Sequence, residues 1–254
     1  MKLVTFNLSN SRAVAVIKNL CPPAIYNYLY KRLIVKDIPN KEAYKPHYQP
    51  WREPSFVVKT KKVRPYTGLT EDKLYFIEYF LRETIYLRGN VAEAGVWRGG
   101  SAKFIAEILN EHPEVKKIFY LFDSFEGMQE VTSSIDRHGR GDFSNTSVTS
   151  VSELLFSELN NIKFIFKKGW IPQTFVGISS ETFSFVHIDL DLYQSILDLL
   201  SYFYPRLCSG GIIVFDDYGY ASCPGAKKAV DDFFNEMPEA ILVLHTGQAV
   251  IIKK

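Results

Sequence analysis

Two runs constrain the fold more than any other feature: Phe183-Ser-Phe-Val-His-Ile-Asp-Leu-Asp-Leu-Tyr193 and Gly210-Gly-Ile-Ile-Val-Phe-Asp-Asp-Tyr218. Each is a short apolar, β-branched or aromatic segment that stops abruptly at two carboxylates, the pattern of a buried parallel strand emerging at its C-terminal edge. Ligands bind at that edge in open α/β sheets. If the two strands are neighbours, Asp189, Asp191, Asp216 and Asp217 meet in one crevice. Carboxylates packed together repel unless a cation or a shared proton relieves them, so a hard divalent metal is expected there.

From Val91 onward the chain alternates strand and helix, which predicts a mostly parallel sheet covered by helices on both faces. Thr70-Glu-Asp-Lys reads as the start of a helix that continues to about Leu87, with Leu74, Ile77, Leu81 and Ile85 at helical spacing. Further helices are expected near 101–109, 150–159, 192–204 and 226–234. The closing runs, 240–244 and 249–252, are joined by a hairpin-length link, so one of them is expected to be antiparallel.

With 254 residues, 46% of them hydrophobic, the chain suits one α/β domain with an appendage. The appendage is the basic arm 1–65, which holds 13 Lys and Arg against 3 Asp and Glu, leaving 17 basic and 25 acidic residues in 66–254. A short helix is expected over Ala24–Val35. The prolines from Pro39 to Pro65 then resist regular structure, which puts the domain boundary near Pro65. The arm is expected to pack on its own acidic body or that of a second copy, giving a homo-oligomer. No nucleic-acid motif accompanies the charge, and no run approaches the roughly 18 apolar residues of a membrane span. Three scattered cysteines without a CxxC pair argue against a disulfide framework or a zinc site and for a reducing, cytoplasmic compartment.

Val91-Ala-Glu-Ala-Gly-Val-Trp-Arg-Gly-Gly-Ser101 reads as a strand, a glycine turn and a helix start. Gly95 lets backbone approach a ligand, and the amides opening the helix at Gly99–Ser101 suit a carboxylate or phosphate. The spacing is not the dinucleotide G-x-G-x-x-G, and Glu93 puts a negative charge where a pyrophosphate would sit. That carboxylate suits a ligand bearing an ammonium group. Asp123, closing the next strand, is placed either to accept both hydroxyls of a ribose or to cap a turn.

These motifs, with Asp123-Ser-Phe-Glu-Gly127, Tyr204-Pro-Arg-Leu, Cys223-Pro-Gly-Ala-Lys-Lys-Ala-Val-Asp-Asp-Phe233 and Thr246-Gly-Gln, resemble the macrocin-type O-methyltransferases over roughly residues 66–254. The resemblance implies a Rossmann-like class I methyltransferase fold, with a mostly parallel seven-stranded sheet and one antiparallel strand. It also implies S-adenosylmethionine as cofactor, Mg²⁺ dependence, and a small-molecule hydroxyl acceptor such as a glycosylated secondary metabolite. Carried over by position, Glu93 and Gly95 contact the methionine portion and Asp123 the ribose, while Ser124, Gly169 and Trp170 surround the adenine. Asp189, Asp216 and Asp217 match the metal ligands, with Asp189 also beside the cofactor, and Asp191 matches the general base. Thr67 matches a position that closes over the cofactor.

Bland alternatives accompany these roles. Asp191 also suits the N-cap of the helix starting at Leu192. Trp97 and Trp170 flank the adenine or fill the core. His187 either backs the carboxylates or is a core histidine, and the polar segment 133–142 is a lid or a solvated loop. A catechol-like phenol is the second acceptor class, since it chelates a metal as a vicinal diol does. A scaffold without catalysis is the alternative to an enzyme, although all four carboxylates are present.

Overall fold

The computed structural model describes residues 48–129 and 133–254, together with Ile25 and Tyr28. Those two residues are helical, and the rest of the helix expected over Ala24–Val35 lies outside the described residues. Pro50–Lys254 form one compact unit.

That unit begins earlier than the boundary expected at Pro65. Helix α1, Pro54–Val63, occupies part of the stretch expected to resist regular structure. Pro54 stands in its first turn, where the missing amide hydrogen costs nothing and the fixed φ favours the helix. Phe56 and Val63 are buried in the core, and the Phe56 ring meets Phe104 edge-on at 5.9 Å.

Helix α2, Glu71–Thr84, buries the stripe Lys73, Leu74, Ile77, Leu81 and Thr84. There follow β1 (Asn90–Ala94), α3 (Gly100–Asn110), β2 (Ile118–Asp123), α4 (Val148–Phe156), β3 (Lys163–Lys168), β4 (Phe183–Ile188) and α5 (Tyr193–Phe203). The chain closes with β5 (Leu207–Phe215), α6 (Pro224–Phe234), β6 (Leu242–Val243) and β7 (Ala249–Ile252). The seven strands lie in the order β3-β2-β1-β4-β5-β7-β6. β1 to β5 run parallel, and β7 is antiparallel to both β5 and β6.

Each strand divides its side chains between two cores, as the two-residue period of a strand requires. Val91, Phe119, Phe185 and Val214 face a core shared with α1 to α4, whereas Ala92, Tyr120, Val186 and Ile213 face one shared with α5 and α6. All six residues of β4 are buried, the signature of a strand covered on both faces. β4 lies between β1 and β5, so the carboxylates after β4 and β5 and the glycine turn after β1 emerge side by side. Among the described residues, no helix is long and apolar enough to cross a membrane.

Candidate active site

A cavity of about 320 Å³ opens at this edge, within the range of small-molecule sites. Gly95, Trp97, Ser101, Asp123, Ser124, Gly169 and Trp170 line one part of it, and Asp189, Asp191, Asp216 and Asp217 line another. Thr67 also reaches the wall. Neither tryptophan is a core residue, since Trp97 is half-buried and Trp170 is exposed.

The glycine turn is fixed by contact between strands. Gly95 has φ 89, and a Cβ there would lie 1.7 Å from the carbonyl oxygen of Asp189. Only glycine lets the β1 turn cross the end of β4 at this distance. The amides of Val96 and Trp97 donate to Asp123 Oδ2 at 2.8 Å each, and Phe125 donates to Asp123 Oδ1 at 2.6 Å. Asp123 thus ties the turn after β1 to the end of β2 while still lining the cavity. Ser124 closes its own turn, donating to the Gly127 carbonyl at 2.6 Å.

Glu93 departs from the expected contact with ligand, because it is fully buried and does not line the cavity. Register pairs it with His187, whose Nδ1 lies 2.9 Å from Glu93 Oε1. Glu93 Oε2 is buried with no hydrogen-bond partner among the described residues. On the other side of the ring, His187 Nε2 is 3.8 Å from Asp216 Oδ1. Burial opposes the imidazolium, but the Asp216 and Glu93 carboxylates outweigh it and push His187 up to about 10.

The four carboxylates fall into two classes. Asp189, Asp191 and Asp217 bring ligand oxygens within 4.8 Å of one another. Asp216 stands apart from that cluster: it pairs with Lys73 in a buried ion pair and accepts from Gln248 Nε2 at 3.0 Å. The expected metal set is therefore only partly brought together, with Asp191 beside Asp189 and Asp217 where Asp216 was expected. Burial and the charges of Asp217, Asp216 and Asp191 hold the Asp189 carboxyl well above its ordinary range. Burial, then Asp191 and Asp216, do the same to Asp217. Burial also pushes Asp216 upward, yet His187 and Lys73 bring it below the ordinary value.

Asp191 is not the cap of α5. Its φ is 59, in the left-handed region, and the helix begins after Leu192 without a side-chain cap from that residue. The cap comes instead from Asp136, in the polar segment after β2. Arg137 donates to the Ala221 carbonyl at 2.9 Å, and Trp97 Nε1 donates to Asn145 Oδ1 at 2.6 Å. The described part of this segment is packed over the cavity, with His138 and Phe143 in its wall.

Sequence reasoning missed Lys73, Asp136 and Cys223. Lys73 had one signal, a lysine four residues before Ile77 on the apolar stripe of α2. Cys223 had only its place at the head of the family motif 223–233, and Asp136 had none, since its partner is distant in the chain.

The macrocin-O-methyltransferase (TylF) family profile matches residues 70–241. The chain belongs to that family. Among curated relatives, it is 31% identical over 167 residues to the 8-demethyl-8-(2,3-dimethoxy-alpha-L-rhamnosyl)-tetracenomycin-C 4'-O-methyltransferase of Streptomyces olivaceus, covering 63% of this chain and 62% of that protein. It is 30% identical over 153 residues to the demethyldecarbamoylnovobiocin O-methyltransferase of Streptomyces niveus, covering 57% of this chain and 58% of that one. The chain thus spans about three fifths of the length of these relatives. The solved O-methyltransferase NovP superposes with a TM-score of 0.68 at 26% identity, covering 74% of this chain and 82% of that chain. The fold of this macrocin O-methyltransferase family member is the class I methyltransferase fold, as the strand order and that superposition show.

Proposed function

We propose that this chain is an S-adenosylmethionine-dependent O-methyltransferase with Mg²⁺ at its carboxylate cluster, acting on a hydroxyl of a sugar or sugar-like group of a secondary metabolite or glycan. One observation carries the reading: a single cavity joins the Gly95–Asp123 turn to Asp189, Asp191 and Asp217.

The residues fit both absent groups. Glu93 Oε2, buried beneath the turn, has no hydrogen-bond partner among the described residues, while its other oxygen is held by His187. Asp217 Oδ2 is likewise buried with no partner among the described residues, and burial together with like charges has raised its carboxyl and that of Asp189. A divalent cation relieves that repulsion, and Mg²⁺ takes oxygen ligands of this kind. When bound, S-adenosylmethionine would supply a methyl on a positive sulfonium, and Mg²⁺ would make a weakly acidic acceptor alcohol easier to deprotonate.

The protein's own residues supply position and proton transfer. Asp123, with oxygens at the cavity wall, suits the ribose hydroxyls, and exposed Trp170 with half-buried Trp97 suits the flanks of the adenine. Asp189 and Asp217 would hold the cation, with the Asp216 carboxyl kept below its ordinary value by His187 and Lys73. Asp191 takes the proton of the acceptor hydroxyl. The packed segment with His138 and Phe143 lowers access of water to the cavity.

The relatives are O-methyltransferases of 8-demethyl-8-(2,3-dimethoxy-alpha-L-rhamnosyl)-tetracenomycin-C and of demethyldecarbamoylnovobiocin. The rhamnosyl group of the first favours a glycosylated acceptor over a simple catechol. The test is calorimetric titration of S-adenosylmethionine and S-adenosylhomocysteine, with Mg²⁺ and with chelator, into the wild type and Asp123→Ala. Micromolar binding that the substitution removes is expected. Absence of binding by either compound in every condition would sink the proposal.

A further inference from the structure

Beside the oxygen cluster, a second group of ligating atoms meets at the cavity wall. His138 comes from the segment after β2, Asp191 from the turn after β4, and Cys223 from the residue before α6. Cys223 Sγ lies 2.8 Å from Asp191 Oδ1 and 3.6 Å from His138 Nε2, and His138 Nε2 lies 4.0 Å from Asp191 Oδ1. A tetrahedral zinc ion bound at about 2.0–2.3 Å keeps sulfur, nitrogen and oxygen ligands roughly 3.3–3.8 Å apart. Each edge of the triangle is within about 1 Å of that range, a shift that side-chain rotation supplies.

We infer that His138, Asp191 and Cys223 form a site for a borderline-soft divalent cation, zinc foremost, with the fourth position open to the cavity. Thiolate and imidazole ligands select such a metal against Mg²⁺, which takes oxygen. The surroundings of His138 agree. Its Nδ1 faces Asp142 Oδ2 at 3.3 Å, and that oxygen is fixed by the Gly139 amide at 2.9 Å. A carboxylate behind the distal nitrogen is the usual support of a metal-binding histidine, since it sets the tautomer and the ring plane.

Without metal, the Cys223 thiol donates its hydrogen to Asp191. Metal binding replaces that hydrogen by the cation and releases the proton to water. The three ligands come from three separate segments, 32 and 85 residues apart along the chain, so no Cys/His spacing announces the site. Occupancy would fasten the segment carrying His138 to the end of β4 and engage Asp191. If Asp191 is the proton acceptor, which rests on the proposed function, zinc there opposes methyl transfer.

The binding test is independent of methyl transfer. Cobalt(II) replaces zinc as the probe and is titrated into the full chain in a Cys21→Ser, Cys208→Ser background. One equivalent should bind with a thiolate-to-cobalt charge-transfer band, and zinc should abolish it. Cys223→Ser should remove the band and His138→Gln should weaken binding. Asp142→Asn should cost about 10-fold or more in affinity. No thiolate band, or a band that survives Cys223→Ser, would overturn the site. His138→Gln lies in a surface segment and keeps the test valid if Cys223→Ser fails to fold: unchanged cobalt affinity in it has the same meaning.

Discussion

Both carboxylate oxygens of Asp136 accept from the backbone amide of Tyr193, at 3.1 and 3.3 Å. The first turn of α5 is therefore capped by a residue 57 positions earlier in the chain, and Asp191, next to that turn, is left available to the cavity. Burial raises the Asp136 carboxyl, and the Tyr193 amide works against that rise. Asp136→Ala should cost about 1 kcal/mol of stability, the usual value of an N-cap, and Asp136→Asn considerably less. Urea unfolding of the two variants checks this, and equal midpoints for Asp136→Ala and wild type would rule out the cap.

Ionisation of Asp217 is opposed by burial and by the charges of Asp191 and Asp216. Its carboxyl is raised above the unfolded value, so ionisation destabilises the fold as pH rises past the ordinary carboxylate range. In chelator at neutral pH, Asp217→Asn should be more stable than wild type, because it removes a carboxyl that burial and the neighbouring aspartates disfavour in its charged form. Mg²⁺ should raise the melting temperature of the wild type and not of the variant. Thermal melts with and without Mg²⁺ test both halves, and a variant that gains as much from Mg²⁺ as the wild type would remove Asp217 from the metal site.

Lys73→Met should act in the opposite direction. Lys73 is 3% exposed, pairs with the Asp216 carboxylate and donates to the Asp216 carbonyl at 3.1 Å. Its removal takes the ammonium from a buried carboxylate that keeps only His187 and Gln248, a loss of up to about 3 kcal/mol. Asp216→Asn combined with Lys73→Met should recover much of it. Chemical denaturation of the single and double variants measures the coupling, and additive losses would show that the pair does not interact.

Lys117 gives a pH dependence remote from the cavity. Its ammonium donates to the carbonyls of Leu87 and Gly89 at 2.7 Å each and to Ser184 Oγ at 2.8 Å. Burial lowers its pKa to about 8, weakly opposed by Cys208. The unfolded chain keeps the proton up to about 10.4. Between these values it binds more protons than the folded protein, and the Lys117 contribution to stability rises with pH. A carbon-detected NMR titration of the Lys117 side chain should show a midpoint near 8, and a midpoint at the ordinary lysine value would contradict the burial argument.

The strands that carry the site were legible because their chemistry is local. Phe183–Ile188 and Ile212–Phe215 are apolar runs ending in aspartates, and each lies in a strand that ends at or just before those aspartates. Lone features misled where the physics is positional: Pro54 reads as a breaker until it is known to stand in the first turn of α1. Glu93 reads as a ligand contact until its register with His187 buries it. The division of labour among the aspartates was illegible for a related reason. Adjacent Asp216 and Asp217 are chemically equivalent in sequence, and only Lys73 and Gln248, contributed from distant parts of the fold, separate them.

The sheet order has a consequence for how the chain acquires its site. β7 follows β6 in sequence yet lies between β6 and β5, so β6 has no partner in the sheet before residues 249–252 are in place. Gln248, one residue ahead of β7, is also a donor to Asp216. A chain emerging in sequence order therefore exposes both the open edge of β5 and an incompletely satisfied Asp216 until that late strand inserts. The edge and the Gln248 donor to Asp216 are thus completed together, by the same β6–β7 hairpin.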